Sequence, residues 1–478
     1  MNKEKNILKL FIEMGTGTII SMCIGFITTP IITRIVEPSE YGMYSIFTVY
    51  TNLSLIILCL GFDQALVRYF YDNKSNSYKQ YLLHKCIKAP IIISICIFII
   101  FILLENLNIL KFKLGKTVLV LLCISIFIQI IYRFSQLILR LEYNTKLYSL
   151  LNVIYKIIYV LSALVLLHIA TINDTLSLII STITAFFICL LISIIKEKKL
   201  WFCSIPIVKT YTLSYRELFL YAYPYVFSMG ITTLFQTADK LVLDRYGTYS
   251  DVGIYTSAMT LISLFAVIQN SFNSLWTPIA VEHFSNNSED KTFYRNGNQI
   301  ITLIMFLIGL TLILSKDIFA ILLGEKYRQA AYILPFLVFE PIMYTISETT
   351  ISGLIFMKKS KLQVIIAIGA CFCNILGNLY LVPRLGGQGA AISTGISYII
   401  FFMLRTQLSN KYYYIDFGLK KFYILTFFTV IYAMYNTFYS FNIITILGYF
   451  VCLGLLLFLY KDTLKWTFKY LINLIPLN

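Results

Sequence analysis

Apolar residues in this chain come in long runs separated by short polar connections, a pattern that recurs from about residue 10 to residue 460. A helix needs roughly 20 such residues to cross the hydrocarbon of a bilayer. Windows of that length predict fourteen spans. Six lie at about 11–33, 43–62, 87–104, 117–138, 147–168 and 176–195. Eight more lie at about 218–237, 254–275, 298–315, 331–356, 362–382, 388–407, 421–438 and 443–460. The first run is longer than a signal-peptide core and no small-residue cleavage site follows it, so it is expected to stay as a span. The fold class predicted is an all-α polytopic membrane protein, with twelve spans as the competing number.

Composition agrees. Of 478 residues, 58% are apolar and only 13% charged, about half the charge of a soluble domain. That excludes a soluble enzyme, a secreted scaffold and a disordered chain. The net charge of +16 would suggest nucleic acid in a soluble protein, but here the positive-inside bias accounts for it, and no nucleic-acid partner is expected. With the N-terminus inside, 28 Lys and Arg fall in inward connections and 10 in outward ones. The split places both termini in the cytoplasm and favours an even number of spans. Nearly all ten cysteines sit within apolar runs and read as small apolar side chains; three scattered histidines offer no metal site and no catalytic constellation.

The longest connection follows the sixth span. The chain is therefore divided into an N-terminal lobe (1–199), a cytoplasmic linker (200–217), a C-terminal lobe (218–410) and a final segment (411–478) with spans thirteen and fourteen and a cytoplasmic tail. A shift of 211 residues lays Thr33–Ser45 over Asp244–Thr256, matching Arg34 with Arg245, Ser39 with Ser250, Gly42 with Gly253 and Tyr44 with Tyr255. Six spans separate the copies, so the repeats share orientation. Two pseudo-symmetric six-helix lobes around a central cavity, plus two C-terminal helices, is the architecture predicted.

The runs Arg34-Ile-Val-Glu-Pro-Ser-Glu-Tyr-Gly-Met-Tyr-Ser and Gly61-Phe-Asp-Gln-Ala-Leu-Val-Arg resemble the start of the polysaccharide flippases (O-antigen and capsule repeat-unit, Wzx-type) of the multidrug/oligosaccharidyl-lipid/polysaccharide exporter superfamily. The segment from Pro383 to Thr394 is similar to that family's turn between spans eleven and twelve. The resemblance implies two lobes alternating between inward- and outward-open states in the bacterial cytoplasmic (inner) membrane. It implies transport of undecaprenyl-diphosphate-linked oligosaccharide for surface polysaccharide such as O-antigen, capsule or lipopolysaccharide, with a polysaccharide polymerase as candidate partner.

Ionisable side chains at bilayer depth are costly and need a reason. Gln129, Arg133, Gln136 and Arg140 follow helical spacing and predict one basic, hydrogen-bonding face on span four, where an Arg fork would suit diphosphate oxygens; snorkelling of both arginines is the alternative. Lys156 lies mid-way along span five with Asn152 one turn earlier. It either faces an aqueous cavity and binds anionic substrate or pairs with an acid, for which Glu13 is one partner. Arg34 and Arg245 close the outward ends of spans one and seven, as paired gates or as interfacial arginines. Asp239, Lys240, Asp244 and Arg245 read as a self-neutralising cluster, and Asp63 with Arg68 as a structural pair.

Glu340 and Glu348 on span ten flank Pro341, which predicts a kink. A carboxylate there can take up a proton or sodium ion and couple transport to a gradient, or form a static hydrogen bond. No other cofactor is called for. Asn374 and Asn378 on span eleven, and Gln269, Asn273 and Trp276 on span eight, suit sugar hydroxyls or helix-to-helix bonds. The leading function is a lipid-linked oligosaccharide flippase. A cation-coupled drug exporter of the same fold is the alternative, with a membrane polysaccharide polymerase behind it. An enzyme is not expected.

Overall fold

All fourteen predicted segments lie mainly in helices of the computed structural model, the tenth across three of them. The structure describes residues 2–109, 111–169, 172–202 and 213–466, apart from the side chains of 2–14, 264, 266 and 360. The Glu13 side chain, most of the 200–217 connection and the chain beyond 466 lie outside the described residues. Two compact units divide the chain: residues 1–28 with 35–237, and residues 29–34 with 238–478.

The first unit draws on α1 (Asn2–Ile35), α2 (Pro38–Leu58), α3 (Phe62–Tyr69), α4 (Asn76–Asn106), α5 (Lys116–Leu141), α6 (Thr145–Leu167), α7 (Asp174–Lys196), α8 (Lys198–Phe202) and α9 (Tyr215–Tyr246). Start signals sit where capping physics puts them. Pro38 opens α2, and the Ser75 hydroxyl accepts the Tyr78 amide at 3.2 Å to open α4. Within lipid there is little hydrophobic drive between helices, so association depends on close packing and internal hydrogen bonds. Phe47, Phe62, Leu66, Leu82, Phe134 and Leu218 form a buried core that ties α2, α3, α4, α5 and α9 together. Gly61 joins α2 to α3 at φ 70°, and the Ala222 backbone occupies the space a Cβ would need there. Some buried hydroxyls are satisfied within their own helices, Ser181 on the Ser177 carbonyl at 2.7 Å and Thr182 on that of Leu178 at 2.9 Å.

The second unit draws on α10 (Tyr249–Asn286), α11 (Lys291–Leu314), α12 (Lys316–Leu322), α13 (Ala330–Leu337), α14 (Phe339–Thr350), α15 (Ser352–Phe356), α16 (Ser360–Tyr412), α17 (Leu419–Phe438) and α18 (Ile443–Leu459). Among the described residues ten helices are long and apolar enough to cross a bilayer, and α10, bent by 47° between Ser263 and Val267, makes an eleventh if its two parts form one span. The 53-residue α16 carries two predicted spans, bent at Gly386, and α17 and α18, which carry the last two, have 20 and 17 residues. Leu161, Phe427 and Phe450 are among the exposed apolar side chains such helices turn to acyl chains.

Span ten runs as one apolar stretch, Ala330–Thr350, interrupted at Val338. Pro341 has no amide to give the Leu337 carbonyl, and the helix breaks just there, between α13 and α14. A second break follows at Ile351, where the Gly353 amide turns to the Ser409 hydroxyl at 2.9 Å.

Candidate functional site

In the first unit the polar residues of α5 and α6 divide among separate partners. Gln129 is buried and donates to Ser125 on its own helix at 2.9 Å. Arg133 reaches α3, where its Nε donates to Asp63 Oδ2 at 2.8 Å and a terminal nitrogen reaches the same oxygen. Asp63 is only 2% exposed, whereas the Arg133 side chain remains 29% exposed, so one edge of the guanidinium stays open. The pairing of Asp63 with Arg68 read from the sequence does not form: Arg68 turns to Asp72, just past the end of α3, at 3.3 Å. Gln136 donates to the Tyr132 hydroxyl at 2.6 Å and to Asn152 at 3.3 Å, which joins α5 to α6. Arg140 is exposed at the end of α5.

Lys156 is half-buried in the middle of α6, its Nζ 5.8 Å from the Tyr155 ring centroid. Gly25 of α1 leaves it room, since a Cβ there would stand 3.7 Å from Nζ. Among the described residues, no carboxylate makes an ion pair with it. Arg34 and Arg245 are both exposed at their helix ends.

In the second unit the structure builds a site around Asp239, which is 4% exposed. Four side chains donate to its carboxylate: Asn378 at 2.6 Å, Tyr255 at 2.6 Å, Thr394 at 2.7 Å and Asn374 at 3.0 Å. Asp239, read from the sequence as one charge in a self-neutralising cluster, is thus held chiefly by neutral donors from other helices. It also gives Asn374 and Asn378 a definite role, as the helix-to-helix partners of a buried acid. One further oxygen, Asn378 Oδ1, is buried there with no hydrogen-bond partner. A carboxylate, two carboxamides, a hydroxyl and a phenol form an oxygen-rich set of the kind hard cations select.

The sequence did carry a signal for this site. The 211-residue shift puts Thr28 in the place of Asp239, so the acid belongs to one repeat alone. Tyr44, the repeat mate of Tyr255, sets its hydroxyl 2.9 Å from Thr182, while that of Tyr255 lies 3.4 Å from Thr394, one position beyond the residue the 211-residue shift gives for Thr182.

The two span-ten acids part company. Glu340 accepts from the Tyr398 hydroxyl at 3.0 Å. Glu348 pairs with Arg405 at 2.8 Å, and the same Arg405 nitrogen donates to Ser347 at 2.6 Å. Trp276 stacks on Phe293 with centroids 5.5 Å apart, inside an aromatic cluster with Phe272 and Tyr294.

A likeness to known proteins bears on these features. The family described as polysaccharide biosynthesis protein matches residues 7–284. A probable low-salt glycan biosynthesis flippase, Agl15 of Haloferax volcanii, is 23% identical over 275 residues, which is 55% of this chain and 58% of that protein. The chain thus spans less than two thirds of that relative. Among solved structures, the lipid II flippase MurJ in an inward closed conformation matches with a TM-score of 0.69 at 18% identity, over 96% of this chain and all of that one. An inward-facing multidrug resistance MATE family transporter of the MOP superfamily matches with a TM-score of 0.61 at 13% identity, over 83% and 94%. These likenesses establish the fold as that of MOP-superfamily transporters. With its family match covering more than half its length, and starting in the segment whose motifs suggested it, the chain belongs to the polysaccharide biosynthesis protein family.

Proposed function

We propose that this protein flips a polyprenyl-diphosphate-linked oligosaccharide across the cytoplasmic membrane by alternating access, for assembly of a surface polysaccharide such as O-antigen or capsule. The observation that carries the reading is Lys156. A cation held in mid-span without an acid partner among the described residues is expensive in lipid and repaid by an anionic cargo. Arg133, oriented by Asp63 with one edge open, supplies a planar fork suited to diphosphate oxygens. Family membership and the relative named as a glycan biosynthesis flippase support the same class of cargo. Both termini lie in the cytoplasm in this reading, as the charge bias implies, and a polymerase acting on the far side consumes the product.

Transport of a bulky anion needs a driving force. The cage around Asp239 supplies one in this proposal: a monovalent cation replaces the amide and hydroxyl donors on the carboxylate, so its gradient couples to the conformational cycle. A drug exporter shares the fold, but its cationic cargo is disfavoured beside Lys156.

The test is complementation of a bacterium lacking its own polysaccharide flippase, at matched membrane levels. Wild type restores surface polymer, and Lys156→Ala and Arg133→Ala abolish it. Restoration by all three variants refutes the cationic site. Failure of the wild type together with efflux of organic cations from the same cells refutes the flippase reading.

A further inference from the structure

The two repeats differ at one corner. In the first unit, Glu40 at the start of α2 is capped by Thr175 at the start of α7: the Thr175 amide donates to Glu40 Oε2 at 3.1 Å, and the Thr175 hydroxyl to the Glu40 carbonyl at 3.0 Å. A shift of 211 residues turns Glu40 into Asp251 and Thr175 into Gly386. The partner side chain has gone. Asp251 uses Oδ2 to cap its own helix, accepting from the Thr248 amide at 2.9 Å and the Thr248 hydroxyl at 2.7 Å. Its Oδ1 faces the bend of α16, where a Cβ on Gly386 would come within 3.3 Å of it. Gly386 stands at φ 53° and ψ −131°, a conformation open to glycine and strained for other residues.

Beside this bend the second unit holds a cavity of about 300 Å³. Its polar lining comprises Asp251, Gln329, Tyr332 and Gln388, with Ile254 and Ile333 as apolar floor. Two features hold the walls. Gln388 donates Nε2 to the Thr437 carbonyl at 3.1 Å. The Tyr332 ring is braced by the fully buried Lys316, whose Nζ lies 4.6 Å from its centroid. One carboxylate, two carboxamides and an aromatic ring around a small cavity suit a neutral, hydroxyl-rich ring: the polar groups take hydroxyls in both donor and acceptor senses, and the ring takes a C–H face. An anionic sugar would meet Asp251.

We infer that this corner of the second unit is a saccharide subsite, which binds a neutral sugar of the glycan. The inference rests on the flippase reading for the identity of its ligand. The charge bias of the connections puts this end of the unit on the outside, so the subsite receives the glycan after it has crossed. Specificity for the glycan then resides partly here, away from the cationic residues that hold the diphosphate.

The experiment is saturation-transfer NMR on the full chain in detergent micelles. The probes are the methyl glycosides of glucose, galactose, mannose and rhamnose, and N-acetylglucosamine. At least one probe binds, and Gln329→Ala and Tyr332→Ala each weaken it by about tenfold, equivalent to about 1.4 kcal/mol. Gln329 is exposed, so its truncation spares the fold, and Arg384→Ala, beside the bend but outside the lining, leaves binding intact. Binding by none of the probes, or binding indifferent to both lining substitutions, overturns the inference. Sugar binding that obeys these expectations in a protein that fails to flip lipid-linked glycan refutes the flippase reading alone. Flipping without sugar binding refutes the subsite alone.

Discussion

The Arg133 guanidinium rests on the Asp63 carboxylate, Nε to Oδ2 at 2.8 Å, across 70 positions of sequence. A basic stripe read from helical spacing thus has an acid built into it. Asp63 is nearly out of reach of solvent while Arg133 is not, which makes the acid the fixed member and the arginine the one left to meet a ligand.

Removing Asp63 strands a cation beside a buried space. Asp63→Ala is expected to destabilise the protein by about 1–3 kcal/mol, less than for a fully buried pair because Arg133 is partly solvated. The double variant Asp63→Ala with Arg133→Ala is less destabilised than the two single losses added together. Thermal unfolding in detergent measures both, and strictly additive losses would show that the two residues do not couple.

Lys156 invites the opposite stability effect. Lys156→Met removes an expensive cation from mid-span and is expected to raise stability, by up to about 2.5 kcal/mol on insertion scales. The same variant loses transport of lipid-linked glycan. A residue that is merely structural would lower both together, so paired melting and flipping measurements separate the two roles.

At Asp239, substitution by Ala leaves the amides of Asn374 and Asn378 and the hydroxyls of Tyr255 and Thr394 without their acceptor, and costs more than Asp239→Asn. If the cage binds sodium, melting in sodium chloride exceeds melting in choline chloride for the wild type. A saturating cation gives about 2.7 kcal/mol at a hundredfold excess over its Kd. Asp239→Asn abolishes the difference. Equal melting of the wild type in both salts would remove the cage from the coupling scheme.

Glu348 and Arg405 form a pair at least 88% buried on each side, with the Tyr344 and Phe401 rings beside the guanidinium at 5.4 and 5.2 Å. Arg405→Ala is expected to destabilise by about 3–5 kcal/mol by leaving a buried carboxylate alone, while Arg405→Ala with Glu348→Gln recovers part of the loss. Retained melting in the single variant would contradict a buried pair.

Much of this was open to inspection of the chain itself. The predicted spans are helical because a run of about 20 apolar residues in lipid has one way to satisfy its backbone, which is locally, within the segment. The motifs around Arg34 and Gly61 named the family because they are local as well. The 211-residue repeat was visible in four identities, and it even marked Asp239 as an acid without a mate. What failed were pairings. Asp63 and Arg68 read as a pair because both open the same connection, and Asp239 as part of a cluster with Lys240, Asp244 and Arg245 because the four lie close in sequence.

The sequence by itself determined that the chain spans membranes as helices, which ends carry the positive charge, to which family it belongs and where its two repeats begin. Periodicity and apolar length are properties of a segment, and a segment carries them in any surroundings. Only the tertiary structure decided that Arg133 meets Asp63, that Asn374 and Asn378 serve Asp239, that Glu348 is spent on Arg405, and that the bend at Gly386 comes to lie beside Asp251. In lipid, where no water competes, a buried polar group takes whichever partner helix packing brings within 3 Å, and that distance is set by residues dozens or hundreds of positions away.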